Sequence, residues 1–219
     1  MIRLHAVPGS RSFRVHWMLA EIGIEPDEVV NYRIGDGSLG AEDYRGVNPA
    51  GRVPSLEIDG RTMIESGAIV EYLCETRGTS FWRAPGDAER ADWLQYLHYA
   101  ETVAGLIQNL NLQQVFLPDP AMRSPTVIGL EVRRLATVLK PLEARLREQE
   151  FMMSSGFSGV DVMYGFAIEA AFHYVHREKF PALVAYGERL AARPAFQTAM
   201  AAQGPDTIYR KAFYEVPDG

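Results

Sequence analysis

Cysteine and histidine usage sets the first limits on the chemistry open to this chain. Its single cysteine, Cys74, excludes an intrachain disulfide, a Cys-x-x-Cys redox pair and a cysteine-rich zinc site. Any thiol chemistry must therefore use a thiol brought by a ligand. His173 and His176 are spaced for one side of a helix and could face a metal, but no third ligand accompanies them, so no metal is expected. His5, His16 and His98 have no motif around them. Taken singly, Ser10 and Ser66 read as helix caps, Arg11 and Arg14 as solvated helix-face charges, and Arg52 as a loop charge. Cys74 reads as a small core residue.

The elements that must position these groups centre on Asn48 to Ser66. In Pro54-Ser-Leu-Glu-Ile58, Leu56 and Ile58 alternate with polar residues, and Arg61-Thr-Met-Ile64 follows the Asp59-Gly60 pair. An Asp-Gly dipeptide between two such runs predicts a tight hairpin. Proline cannot donate to a strand ladder, so Pro54 belongs at a strand beginning, an edge or a bulge. A helix follows from Ser66, with Ile69, Val70, Leu73 and Cys74 on its apolar face and its end near Gly78.

Upstream, Ile2, Leu4 and Ala6 predict a half-buried first strand ending at Pro8-Gly9. The next helix carries Val15, Leu19 and Ile22 at helical spacing and can be capped by Ser10 or Ser12. Glu28 to Ile34 predicts a second strand, and a short polar helix lies near Glu42 to Arg45. This order predicts a small α/β domain with a mixed sheet over residues 1–80, then a linker over 81–87 marked by Pro85-Gly86.

From 88 to 219 the pattern is helical throughout, predicting an all-α domain. One long amphipathic segment runs from Asp87 to about Phe116. A second carries Ile128, Val132, Leu135, Leu139, Leu142 and Leu146 along one face, with Pro141 expected to kink or divide it. Ser158 and Asp161 are spaced for a capping box at the start of a third, and two shorter helices lie near Ala182 to Ala192 and Pro194 to Ala202.

A chain of 219 residues with 47% apolar content has ample material for packed cores, and its net charge of −6 argues against a general nucleic-acid binder. It contains no apolar run of about 18 residues and no signal-peptide pattern, so no membrane association is expected and the cytoplasm is the expected compartment.

Together these features resemble the cytosolic glutathione S-transferase family over essentially the whole chain. The resemblance rests on Val53-Pro54, Glu65-Ser66, the linker and Phe157-Ser158-Gly-Val-Asp161 in that order; Pro8-Gly-Ser-Arg-Ser-Phe-Arg14, Trp17-Met-Leu-Ala-Glu21 and Tyr99-Ala-Glu101 are similar to bacterial and fungal serine-type members. It implies a thioredoxin-like domain followed by an all-helical domain, and a cis peptide before Pro54. It implies that glutathione is the co-substrate, with no bound cofactor, and that its thiol attacks a small hydrophobic electrophile.

By the same resemblance Val53 offers its backbone to the tripeptide as an added strand, Pro54 shapes that segment, and Arg52 lies near the glycyl end. Ser66 with the helix N-H groups holds the γ-glutamyl carboxylate, and Glu65 attracts its ammonium. The loop at Ser38 to Ala41 lacks the His, Gln or Lys that many relatives direct at the glycyl carboxylate. The thiol activator is expected at Ser10, four positions before Arg14, with Ser12 and Arg11 as alternatives. Tyr99, Leu106 and Phe116 are expected to wall the electrophile pocket, and a homodimer is expected across the helices after Ser66 and Asp87. A second reading is a non-catalytic module of the same fold that binds glutathione or a hydrophobic ligand. The presence of Ser10 in register with Arg52, Pro54, Glu65 and Ser66 favours the enzyme.

Overall fold

The computed structural model describes residues 1–206 and 208–217. They form two compact units, one of Met1–Pro85 with Ala192–Ile208, the other of Gly86–Ala191 with Tyr209–Gly219. The sequence reading counts everything beyond residue 87 with the helical part. By its contacts, the segment Ala192–Ile208 groups with the first unit.

In the first unit β1 (Arg3–Ala6), α1 (Ser12–Glu21), β2 (Glu28–Asn31), α2 (Glu42–Val47), β3 (Ser55–Ile58), β4 (Arg61–Ile64) and α3 (Ser66–Thr76) follow one another. The sheet order is β2-β1-β3-β4, with β2 parallel to β1 and the other two pairs antiparallel. This is the mixed sheet of a thioredoxin-like domain. Asp59 and Gly60 both adopt positive φ and join Ile58 to Arg61 in a two-residue turn, as the right-handed twist of the flanking strands requires. The Asp59 carboxylate then accepts two hydrogen bonds from Arg77 Nη2 (2.6 and 2.7 Å) and one from Tyr72 Oη (2.6 Å), tying the hairpin to α3.

The expectation of a half-buried β1 is corrected. Because β1 lies inside the sheet, Leu4 and Ala6 are buried on one side and His5 on the other. His5 is enclosed by Tyr32 and Tyr44, its Nδ1 lying 2.9 Å from Tyr32 Oη and its Nε2 2.8 Å from Glu57 Oε1. That hydrogen bond, with help from Arg3, holds the Glu57 carboxyl below its ordinary range.

α8 (Pro194–Gln203) packs along α1. Phe196 sits edge-on to both Phe13 and Trp17, with ring centroids 4.9 Å apart in each case. Arg193 grips Glu21 through Nε (2.6 Å) and Nη2 (2.7 Å), and Trp17 Nε1 donates to the same carboxylate at 2.8 Å.

The second unit contains α4 (Arg90–Asn111), which continues as a π-helical turn at Leu112–Phe116, then α5 (Pro125–Leu146), α6 (Gly159–Phe172) and α7 (Pro181–Ala191). α4 packs against both α5 and α6, and α7 against α5 and α6. α5 is continuous through Pro141, so of the expected kink or division the division does not occur. Pro141 is flanked by the fully buried Leu139 and Leu142. Each leucine contributes about 1.5–3 kcal/mol by burial, which together offsets the roughly 3 kcal/mol cost of an interior proline. Ser158 and Asp161 form the capping box anticipated at the start of α6.

Candidate functional site

Three stretches of the first unit carry the expected site residues. The first is the turn between β1 and α1. Gly9 has a φ of +76°, and a Cβ there would lie 2.2 Å from Asp206 Oδ1, so both the backbone conformation and the space demand glycine. Its N-H also points at Gln203 Oε1, 3.4 Å away. The Ser10 hydroxyl donates to the Val7 carbonyl at 2.7 Å and accepts from the Ser12 N-H at 3.1 Å, and the two hydroxyl oxygens are 2.9 Å apart. Ser12, only 2% exposed, accepts from the Val7 N-H. Ser10 is half-buried. Neither serine caps α1 as expected: the N-cap position falls on Arg11 and has no side-chain cap bond. The two hydroxyls instead knit the turn together.

The second stretch is Asn48 to Pro54. Asn48 Oδ1 accepts from the Ala50 N-H at 3.0 Å, closing a local turn before the strand. Gly51, with φ +61°, passes so close to the Leu39 carbonyl that a Cβ would lie 2.7 Å from it. The Arg52 carbonyl accepts from Tyr44 Oη (2.5 Å) and from Asn48 Nδ2 (2.7 Å), and both donors also reach Ser55 Oγ. Tyr44 and Asn48 are buried, and burial raises the Tyr44 phenol above its ordinary range. Two buried side chains thus hold one backbone carbonyl immediately before Val53. The Val53–Pro54 peptide bond is cis. Val53 is half-buried, Pro54 is buried and the Arg52 side chain is exposed.

The third stretch is the entry to α3. Glu65 is exposed and occupies the N-cap position with φ +70°, a left-handed conformation uncommon for a residue with a side chain. Residues held in such conformations are found where surrounding structure over-determines them, and functional sites are one such setting. Ser66 is buried and opens the helix, but it does not cap it. Its oxygen instead accepts from Nη1 of Arg14 at 3.0 Å. Arg14 itself has no exposed surface, so the expectation of a solvated helix-face charge is corrected: it faces inward from α1 toward the start of α3.

Sequence reasoning missed Tyr44, Asn48, Arg14 and Gln203. Asn48 carried a local signal, an Asn-Pro pair ahead of a glycine. Arg14 and Gln203 act on residues far away in the chain, and Tyr44, although it acts only eight residues on, left no local signal either. The Cys74 thiol lies 3.8 Å from Met18 Sδ inside the first unit, and burial pushes it up to about 12. A thiol so placed is largely protonated at neutral pH and has no part in nucleophilic chemistry.

Of the residues expected to wall a pocket, Tyr99 donates its hydroxyl to the Val138 carbonyl at 2.9 Å, and Phe116 lies partly exposed in the π-helical turn. Leu106 lines a groove of about 690 Å³ between α4 and α5, with Thr102, Gly105 and Val138 among its neighbours. His173 Nδ1 faces the carbonyls of Lys211 and Ala212, and His176 stacks on Phe213.

Residues 4–81 match the family model for the N-terminal domain of glutathione S-transferase. Glutathione S-transferase 3 of Schizosaccharomyces pombe is 28% identical over 211 residues, covering 91% of this chain and 86% of its own length. A crystal structure of a glutathione transferase from Methylococcus capsulatus superposes with a TM-score of 0.82 at 26% identity, covering 93% of this chain and 98% of that one. The theta class glutathione S-transferase of Xanthomonas axonopodis pv. citri, solved with glutathione bound, gives a TM-score of 0.78 at 27% identity, covering 91% and 96%. Likeness to glutathione S-transferases in sequence and in fold thus extends through both units and well beyond the three stretches, and the N-terminal part of the chain matches that family's domain model.

Proposed function

We infer that this chain is a glutathione S-transferase of the serine type, with Ser10 as the residue that stabilises the glutathione thiolate. The observation that carries this reading is the contrast between the two serines of the first turn. Ser12 is buried, accepts from the Val7 N-H and, with the Ser10 proton on the Val7 carbonyl, gives its own proton to Ser10 Oγ, whereas Ser10 is half-buried and gives its single hydroxyl proton to a neutral carbonyl. A thiolate is a stronger acceptor than a peptide carbonyl, because charge-assisted hydrogen bonds are about twice as strong. The Ser10 proton therefore turns to the sulfur when glutathione binds, while the Ser12 N-H continues to hold the Ser10 oxygen.

The rest of the tripeptide follows the first unit. Val53 pairs with the cysteinyl backbone, presented by an Arg52 carbonyl that Tyr44 and Asn48 fix, and Arg52 reaches the glycyl end. Pro54 shapes the segment. Ser66 and the first N-H groups of α3 take the γ-glutamyl carboxylate, and Glu65 takes the ammonium. Glutathione is the co-substrate. The second substrate is a small hydrophobic electrophile walled by Tyr99, Leu106 and Phe116, which suits a role in detoxification in the cytoplasm. The working form is a homodimer across α3 and α4, and sedimentation at working concentration is expected to give twice the mass of the chain.

Magnitudes limit what Ser10 contributes. A thiol of pKa about 8.5 is roughly 3% ionised at pH 7, so full ionisation raises the thiolate about 30-fold, or about 2 kcal/mol. A lower pKa also makes the sulfur less nucleophilic, with a Brønsted slope of about 0.4–0.5. Holding the electrophile beside the sulfur supplies the remainder.

Ser10→Ala is expected to lower kcat/KM by about 10- to 30-fold at pH 7 and to abolish the ultraviolet difference signal of bound thiolate, while glutathione affinity stays within about threefold. Ser12→Ala is expected to destabilise the turn and keep the thiolate signal. A Ser10→Ala protein with an unchanged signal and unchanged turnover removes Ser10 from the mechanism.

A further inference from the structure

Beneath the entry to α3 lies a charge that the reading above does not use. Arg14 is fully buried on α1, and its Nη1 donates to Ser66 Oγ at 3.0 Å. The donor inventory settles the direction of this bond, because a guanidinium has no acceptor and is never deprotonated in a protein. Ser66 Oγ must accept, using one lone pair. Its one hydroxyl proton is left over, and among the described residues no protein group accepts it. Ser66 is 5% exposed and is the first residue of α3, where the leading N-H groups of a helix have no partner within it and carry the positive end of the helix dipole. A buried cation, an unspent O-H and a helix N-terminus therefore converge on one small region.

We propose that Arg14 is a positioning residue for recognition of the γ-glutamyl α-carboxylate. By taking a lone pair of Ser66 it turns the Ser66 O-H toward the ligand, and its fixed charge behind the hydroxyl strengthens that donor. It does not touch glutathione. A neutral side chain that makes no such bond would leave the Ser66 hydroxyl free to rotate, so that its proton is no longer held toward the ligand. The inference rests on the reading that Ser66 holds that carboxylate, and the test keeps the two apart.

Calorimetry on the purified full-length protein compares glutathione with 4-aminobutyryl-cysteinyl-glycine, the same tripeptide without the α-carboxylate. The unaltered protein is expected to prefer glutathione by about 30-fold or more, and Arg14→Met to weaken glutathione by about tenfold while the analogue changes less than threefold. Arg14→Gln, which keeps a donor but no charge, should fall between them. Combining Arg14→Met with Ser66→Ala should weaken glutathione no further than the stronger single change, because both remove the same oriented donor.

Retention of the full preference in Arg14→Met or Arg14→Gln overturns the proposal, as does equal weakening of both ligands, which is what loss of packing alone produces. If the unaltered protein binds the two ligands equally, the assignment of Ser66 to the carboxylate fails first and this inference with it. Should the Met and Gln variants not fold, the unaltered protein with 15N-labelled arginine serves instead. A buried guanidinium resonance shifting with glutathione but not with the analogue supports the proposal, and identical response to both overturns it.

Discussion

Asp161→Ala is expected to lower stability by about 3–5 kcal/mol, an unfolding midpoint roughly 10 °C lower for a chain of this length. The carboxylate is fully buried and collects donors from separate parts of the second unit. Oδ1 accepts from the Met152 N-H at 2.8 Å and from Tyr186 Oη at 2.7 Å, and Oδ2 accepts from the Ser158 N-H at 2.7 Å. Burial pushes the Asp161 carboxyl up, and these donors pull against that shift. Alanine leaves two buried N-H groups and a phenol without an acceptor, each costing about 1–3 kcal/mol, and opens a cavity besides. Tyr186→Phe, which removes one donor together with its need for a partner, should cost only about 1 kcal/mol. Thermal unfolding of the two variants side by side checks the ordering. A Tyr186→Phe loss as large as that of Asp161→Ala would show that the tyrosine hydroxyl, and not the carboxylate, organises the cluster.

Glu21→Ala is expected to cost about 3 kcal/mol and to act at the other end of α1 from the chemistry. The Glu21 carboxylate is 5% exposed and serves three donors, two from Arg193 and one from Trp17 Nε1. The Arg193 side chain keeps some solvent, so its charge is not stranded in full, but the buried indole N-H is. Because α8 covers Phe13 and Trp17, loosening it exposes aromatic surface on the helix that begins just beyond Ser10. Chemical denaturation monitored by tryptophan fluorescence, with limited proteolysis near Arg193, checks this. An unaltered midpoint together with an unaltered digestion pattern rejects the clamp. Glu21→Gln should fall between the two, since its one oxygen can still accept from the indole.

Features that the sequence made legible are those whose physics is local. Asp59-Gly60 declares a hairpin because only a few residue types tolerate positive φ at two successive positions, and Ser158 with Asp161 declares a helix start because cap and acid lie three residues apart. The order of strands and helices up to Thr76 followed from alternation and helical spacing in the same way. The features hardest to read depend on partners far away in the chain. A serine at a helix start is ordinarily a cap, and Ser66 is not, because Arg14 reaches it from 52 residues upstream. Arginine is rarely buried, so nothing in the residues around Arg14 marked it as an interior charge. Within the candidate site, Glu65, Ser66, Arg52 and Ser10 were all named from the chain, whereas the bonds by which Tyr44 and Asn48 fix the backbone ahead of Val53, short-range though they are, emerged only in three dimensions.

The return of Ala192–Ile208 to the first unit also bears on how the protein is made. A nascent chain grows from its N-terminus at about 5–20 residues per second, so α8 follows α1 out of the ribosome by roughly 10–35 s. During that interval the sheet and α1 to α3 can assemble, but the aromatic face formed by Phe13 and Trp17 lacks its cover and the Gly9 turn lacks Gln203. A half-made first unit thus displays an apolar helix face to its surroundings, which is the sort of surface that chaperones engage and that neighbouring nascent chains on a polysome can trap. The turn carrying Ser10 is thus synthesised well before it receives all of its supporting contacts.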